Sequence, residues 1–376
     1  MLNTCETTVV PTRFPSPLRA AAKVAEMAYS LAATRDVDGC VPDTELAMLA
    51  STGLLHAPLP AAIGGVALGM TPATAPALRD VLRTIGGASL SLGRLYEGHV
   101  NAVRLVSRYG NDAHCRRLAL EAEAGRPSAV WNAQTGSGLR LDGGVLVGGK
   151  VYTSGVGVVR RPIVTALHSD GLLMVMPDVG SVAGDLSNWR PLGMRASLTG
   201  AADFSGLSVA PEDIVGKPGD YYRAPLFAGG AWRVLAVQLG ALERLLALYR
   251  TQIAERGRCD DPVQRSRFGE AAARLESARL WTARTVTVAE TQAIDASEID
   301  ALVNLARHEF ERCALDIMER IERGVGLSAM LRPNPIERII RDLRTYLRQP
   351  FPDAALASAA TWALEPRPLH ADIGGA

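Results

Sequence analysis

The sequence predicts an α+β protein of several domains: an N-terminal all-α domain, a middle antiparallel β-barrel domain and a C-terminal four-helix bundle. Three observations carry this. Residues 148–211 are dense in Val, Thr and Gly, and their short apolar runs alternate with turn residues, as strands of an antiparallel barrel or sandwich do. On both sides the chain changes to long stretches rich in Ala, Leu, Arg and Glu with helical spacing. At 376 residues it also exceeds what one ordinary core accommodates. The expected boundaries are 1–125, 126–224 and 225–376.

In the first part, Ser16-Pro17 opens a helix that fades by Asp38-Gly39, with proline in the first turn, where its missing N–H costs nothing. A second helix over 44–52 ends at Gly53, a left-handed cap. The loop 58–69 holds too many prolines and glycines for either regular state. Helices over 71–84, 90–108 and 112–124 follow, separated by Gly86-Gly87 and Gly110-Asn111, and their apolar stripes read as bundle core. After Pro127 the period shifts toward alternation, and strands are predicted over 128–134, 145–152, 163–168 and 172–176. From Pro225 helices return over 226–255, 262–293, 298–323 and 335–347. Helices of this length cannot bury their apolar stripes alone, so a bundle with an oligomeric face, a homodimer or homotetramer, is expected.

Forty basic against thirty-nine acidic residues give a net charge of +1, which exerts no long-range pull on nucleic acid or an anionic membrane. A small-molecule substrate is the expected partner. The five cysteines are scattered and odd in number, so they read as reduced thiols in a cytoplasmic protein rather than a disulfide framework or zinc site. Residues 1–15 carry no basic cluster followed by an apolar core, so no secretory leader is expected. The histidines show no metal-ligand spacing, and nucleophile-elbow, Walker and dinucleotide-binding glycine motifs are absent.

Four local strings stand in a recognisable order: Glu45-Leu-Ala with Gly53 and Pro60-x-x-x-Gly64-Gly65; Gly149-Lys150-x-Tyr152-Thr153-Ser154-Gly155; Trp189-x-x-Leu192-Gly193-Met194-Arg195 with Phe204-x-x-Leu207-x-Val209-x-Pro211; and Pro335-x-Glu337-Arg338-x-x-Arg341-Asp342. Together they resemble the acyl-CoA dehydrogenase superfamily of flavoproteins over nearly the whole chain. That superfamily also contains flavin-dependent monooxygenases of the dibenzothiophene monooxygenase type and sugar nitrososynthases. The resemblance implies FAD, with FMN as the alternative, held between the barrel and the bundle.

The residue chemistry agrees with that implication. An isoalloxazine ring needs a flat apolar wall and donors aimed at its edges. Tyr152 offers an aromatic face and Ser154 a hydroxyl two positions on, which places both on one face of an ideal strand, with Thr153 between them. The resemblance puts Trp131, Asn132 and Gln134 on the neighbouring strand, where the family presents donors to the ring; core packing is the other reading of Tyr152 and Trp131. It also implies a diphosphate-binding role for Arg258, in the Arg256–Arg258 pair before Asp260-Asp261-Pro262, and an approach to the adenine part, from a neighbouring subunit, for Gly324 in Gly324-x-Gly326. A plain helix cap would read the same as the latter.

The pattern breaks at the catalytic base. The family's glutamate lies about eight residues after the Arg-Asp pair, and here Pro350 stands there, beside Gln349, which cannot take a proton at neutral pH. The family's second location, within 227–236, contains no acid, and Glu243 falls two turns later. His99 is the best remaining candidate acid or base, in a helix the family aims at the substrate side of the ring, with a histidine packed at a domain seam as its other reading; Glu97 is the next candidate, with a surface residue as its other reading. Three functions follow as expectations. The first is an FAD-dependent oxidoreductase acting on the CH–CH group of an acyl thioester or related molecule. The second is a reduced-flavin monooxygenase or N-oxidase, and the third a binding or scaffold homologue that has lost catalysis.

Overall fold

A computed structural model describes residues 14–134, 136–291, 294–348 and 350–366. Five helices come first: α1 (Pro17–Leu31), α2 (Asp43–Ser51), α3 (Ala75–Gly86), α4 (Leu90–Tyr109) and α5 (Asp112–Glu123). Their ends are written in the sequence. Ser89 Oγ accepts from Leu92 N–H at the start of α4, and Asn111 forms a reciprocal capping box with His114 at the start of α5. Gly53 follows α2 at φ +80°, where a Cβ would lie 2.2 Å from Phe14 Cγ, so only glycine serves.

The middle segment is β1 (Val130–Trp131), β2 (Arg140–Asp142), β3 (Val145–Val147), β4 (Gly149–Thr153), β5 (Ile163–His168), β6 (Gly171–Val175), β7 (Gly184–Asp185), β8 (Gly200–Asp203) and β9 (Ile214–Val215). The described residues do not close the expected antiparallel barrel. They make two sheets, one ordered β3-β2-β5-β6-β9 with β1 also on β5, the other ordered β4-β8-β7. Moreover, β1 and β2 run parallel to β5. The physical reason sits at Gly148. At φ +101°, with the space of its Cβ taken by Gly138 O at 2.3 Å, it breaks the predicted strand 145–152 and sends β3 to one sheet and β4 to the other. One apolar cluster, including Trp131, Leu146, Val164, Val175, Ala202 and Phe204, joins the two sheets.

The C-terminal part is α6 (Leu226–Gly229), α7 (Ala231–Glu255), α8 (Pro262–Glu290), α9 (Ala296–Val325), α10 (Pro335–Tyr346) and α11 (Pro352–Leu364). The predicted helix over 226–255 is divided at Gly229-Gly230, and α11 was not anticipated. It packs on α9 and buries Ala359 and Trp362. Helix α7 is the spine of the molecule. It crosses α3 so closely that a Cβ on Gly86 would lie 2.0 Å from Val237 O, and one on Gly240 would lie 1.9 Å from Arg83 O. The N-terminal helices and the bundle consequently share one apolar core, with α4 held between α3, α7, α10 and β1. No helix among the described residues is long and apolar enough to cross a membrane.

Candidate functional site

The structure brings six of the predicted site residues together along β1 and β4. Val151 N–H donates to Ala133 O at 3.0 Å, which lays the chain after Trp131 beside β4. Lys150, fully buried, ties this edge down: its Nζ donates to Asn132 O (3.1 Å), Gln134 Oε1 (2.8 Å) and Thr165 Oγ1 (2.9 Å). Burial lowers its pKa to about 8. Thr165 Oγ1 in turn donates to Asn132 Oδ1 (2.6 Å), so the Asn132 amide nitrogen is turned toward Tyr222, donating to its hydroxyl at 3.1 Å.

Tyr152 and Ser154 do not share a face. The β4–β8 register slips between Val151 and Thr153, and Tyr152 sits in this bulge at φ +53°. The irregularity breaks the two-residue alternation, leaving the Tyr152 ring 67% exposed while Ser154 is buried. Ser154 Oγ contacts Thr199 Oγ1 (2.9 Å), which contacts Ser197 Oγ (2.8 Å), and Thr153 Oγ1 donates to Gly200 O (3.0 Å). Trp131 is core: it packs near Phe204, and its Nε1 donates to Ser154 O at 2.9 Å. The open surface of this edge therefore belongs to Tyr152, Asn132 and Gln134.

Across from Asn132 stands an aromatic cluster the sequence reading did not single out. Tyr221, Tyr222 and Phe227 meet edge to face with ring centroids 4.8–5.4 Å apart, and Tyr222 and Phe227 remain 51% and 47% exposed. Behind it lies a buried charge network centred on Glu97, which is buried rather than on the surface. Glu97 on α4 accepts from Arg94 and Asn101, and Asn101 accepts from Arg233 on α7. On the far side, Glu290 on α8 accepts from Arg104 (2.5 Å) and Trp232 (2.9 Å). Tyr221 and Tyr346 stand beside the Arg94 guanidinium. The sequence signal available was Arg94-x-x-Glu97 with Asn101 one turn on, three polar residues inside an apolar helix.

His99 is placed elsewhere. It is buried, with Nε2 on Leu55 O at 2.7 Å and Nδ1 accepting from Ser128 N–H at 3.0 Å. Those partners require a proton on Nε2 and none on Nδ1, and burial lowers the pKa to about 4. In this geometry His99 clamps the loop after α2 to the start of the β segment, with both ring nitrogens already engaged. Gln349 lies outside the described residues. Arg258 and Gly324 fall in a separate cluster at one end of the bundle. Arg258 pairs with Asp261, the cap of α8. Gly324 O accepts from Gln264, and the Gly324 Cα faces Tyr249 so tightly that a Cβ would be 2.0 Å from its hydroxyl. Glu243 is engaged by Arg83 and Arg279.

Helices flanking a two-sheet middle segment, with an aromatic and amide-lined seam between them, define the class. The chain has the acyl-CoA dehydrogenase-like fold, and residues 234–348 match the family described as acyl-CoA dehydrogenase, C-terminal domain. It is 24% identical to a dibenzothiophene monooxygenase from Mycolicibacterium goodii over 90% of this chain and 91% of that one. Among solved structures, the nitrososynthase from Micromonospora carbonacea var. africana superposes with a TM-score of 0.81 at 22% identity, covering 94% of this chain and 99% of that one. FMN-bound TdsC from Paenibacillus sp. A11-2 does so at 0.76 and 19% identity, over 94% and 98%.

Proposed function

We propose that this chain is a flavin-dependent oxidoreductase that works as a reduced-flavin monooxygenase or N-oxidase on a small organic substrate, with FMN as its flavin. The residues present fit the ring chemically. The exposed face of Tyr152, the outward amide of Asn132 and the half-exposed rings of Tyr222 and Phe227 offer flat apolar contact and hydrogen-bond donors in one seam. When bound, a flavin supplies two-electron redox chemistry and reactivity with oxygen. The chain's part is positioning: Lys150 and Thr165 fix Asn132, the hydroxyl chain from Ser154 to Ser197 stiffens the floor, and the aromatic cluster gives the seam a flat apolar side.

One observation carries the monooxygenase reading over dehydrogenation of an acyl thioester. Glu97 is the buried carboxylate behind the aromatic cluster, and it is saturated by Arg94 and Asn101. Position 350 is proline, and Glu243 is held by two arginines. A carboxylate free to abstract a proton next to this seam is thus lacking among the described residues, whereas oxygen insertion needs orientation and water exclusion more than a strong base. The dibenzothiophene monooxygenase relatives and the FMN-bound neighbour support the same reading.

The test is direct. Purified protein should bind FMN, and with an NADH-driven flavin reductase it should consume oxygen in a way that depends on added substrate. Anaerobic bleaching of bound flavin by acyl-CoAs would instead favour dehydrogenation with FAD. A folded chain that binds neither FMN nor FAD would sink both readings and leave a binding or scaffold role. Exposed Leu327, Met330 and Leu331, just beyond α9, support self-association through the bundle.

A further inference from the structure

The seam between α4, α7 and α8 buries more positive than negative charge. Glu97 accepts on Oε2 from Arg94 and on Oε1 from Asn101; Glu290 accepts on Oε1 from Trp232 and on Oε2 from Arg104. Accepting N–H donors on both oxygens is the pattern of an ionised carboxylate. Arg94, Arg104 and Arg233 therefore set three guanidinium cations against two carboxylates, a surplus of one positive charge. Burial raises the pKa of Tyr221 and Tyr346, so neither supplies the missing anion.

The surplus falls on Arg233. Its side chain is 4% exposed, and Nη1 stands 3.8 Å from Glu290 Oε1, beyond hydrogen-bond reach. Among the described residues its hydrogen bonding is limited to Nε, which donates to Asn101 Oδ1. The Nη2 edge lies against Gly230 at the joint between α6 and α7, where a Cβ would come within 2.8 Å, so glycine makes the room it occupies. Arg233 shares Glu290 with Arg104 at that longer distance and lies over the Trp232 ring, 5.4 Å from its centroid, so its charge is only partly compensated; such a buried ion is costly, and proteins neutralise it, pair it more closely or give it a ligand. Arginine does not neutralise here: burial and the nearby Arg104 bring Arg233 down only to about 10. At the other end of the network, Arg94 keeps 26% of its side chain exposed beside Tyr221, whose ring adjoins the half-exposed Tyr222 and Phe227. The Asn132 edge, the three aromatic rings and the Arg94 guanidinium are thus neighbours in sequence of contact.

We propose that Arg233 and Arg94 form an anion-binding subsite behind the Tyr221–Tyr222–Phe227 cluster, and that the molecule it takes is small and planar and carries one carboxylate or equivalent monoanionic group. The planar fork of a guanidinium matches a carboxylate edge, and the three rings match a flat apolar body. Calling this molecule the substrate rests on the flavin reading; the subsite itself does not.

The experiment uses the full chain in low-chloride buffer, with and without FMN. Sodium benzoate is the probe and benzamide its neutral isostere. Benzoate should raise Tm and perturb Trp232 fluorescence, with half-saturation at least about tenfold lower than for benzamide, the ratio a charge-assisted hydrogen bond provides. Arg233→Met should lose about tenfold or more in benzoate affinity, and Arg233→Lys, which keeps the charge but not the fork, should retain part of it. Equal responses to benzoate and benzamide would overturn the proposal. So would an R233M chain that responds like wild type, or a wild-type chain unresponsive up to about 10 mM benzoate. FMN binding without a benzoate response refutes the subsite alone; a benzoate response without FMN binding refutes the flavin reading and leaves the subsite standing.

Discussion

His99 separates a structural from a catalytic role by its pH dependence. Its imidazole is buried neutral, with a pKa of about 4 against an ordinary 6.5, because burial disfavours the cation by more than the hydrogen bond to Leu55 O favours it; its two backbone partners fix one tautomer. The unfolded chain takes up the proton as pH falls through 6.5, and the folded chain does not until about 4. Stability is therefore intact above 6.5 and is lost as pH falls, by roughly 1.4 kcal/mol per pH unit and about 3 kcal/mol in all. Asp342 works in the opposite direction. Burial raises its pKa to about 6, so it stabilises most below the ordinary carboxylate range and loses that contribution as pH rises through 6. Between pH 4 and 6 the two contributions run against each other, so a variant is needed to expose the histidine. His99→Gln removes the titration. Urea unfolding at pH 7.5 and 4.5 should show the wild-type chain losing about 2–3 kcal/mol relative to the variant at the lower pH. Turnover at pH 7.5, corrected for folded fraction, should change far less than the ~100-fold that removing a general acid or base costs. If the gap between the two chains is the same at both pH values, or if turnover collapses in a fully folded variant, the structural assignment of His99 is wrong.

Lys150→Met should weaken FMN binding at least about tenfold, because Asn132 O, Gln134 Oε1 and Thr165 Oγ1 all lose their donor at once; flavin fluorescence titration measures it. Thr165→Val, which frees the Asn132 side chain and removes one of three Lys150 acceptors, should show a smaller loss in the same titration. Gly324→Ala forces a Cβ against the Tyr249 hydroxyl and should cost about 1–3 kcal/mol, read as a lowered urea midpoint with flavin affinity per folded molecule unchanged. Light scattering of the wild-type chain should report a dimer or tetramer, and Leu327→Glu with Leu331→Glu should shift it toward monomer; a wild-type monomer would remove the self-association proposal.

What the sequence made legible follows the range of the interactions involved. Helix starts at Pro17, Asn111 and Asp261 are set by residues within one turn, and the structure places them within a residue or two of the predicted positions. The β segment was legible as a class but not as a topology. Whether Gly148 continues a strand or splits two sheets depends on Gly138 O arriving at 2.3 Å, a contact no local pattern encodes. The β1–β4 edge was half legible for the same reason. Lys150, Tyr152 and Asn132 lie together as their strings implied, yet the bulge at Tyr152 reversed the expected pairing of its face with Ser154.

The charge network was legible only as the polar spacing of Arg94, Glu97 and Asn101 on α4, not as a network. Its members come from α4, α7 and α8, and each alone reads as an ordinary polar residue on an amphipathic helix. Only packing converts them into a buried set with unequal charge. The conversion depends on α7 approaching α3 closely enough to exclude a Cβ at Gly86 and Gly240, because that approach holds the start of α7, and with it Arg233, against α4. A bulkier residue at either glycine would push α7 outward and admit water to Arg233. The surplus charge would then be solvated, and with it would go the reason for the site to prefer an anion.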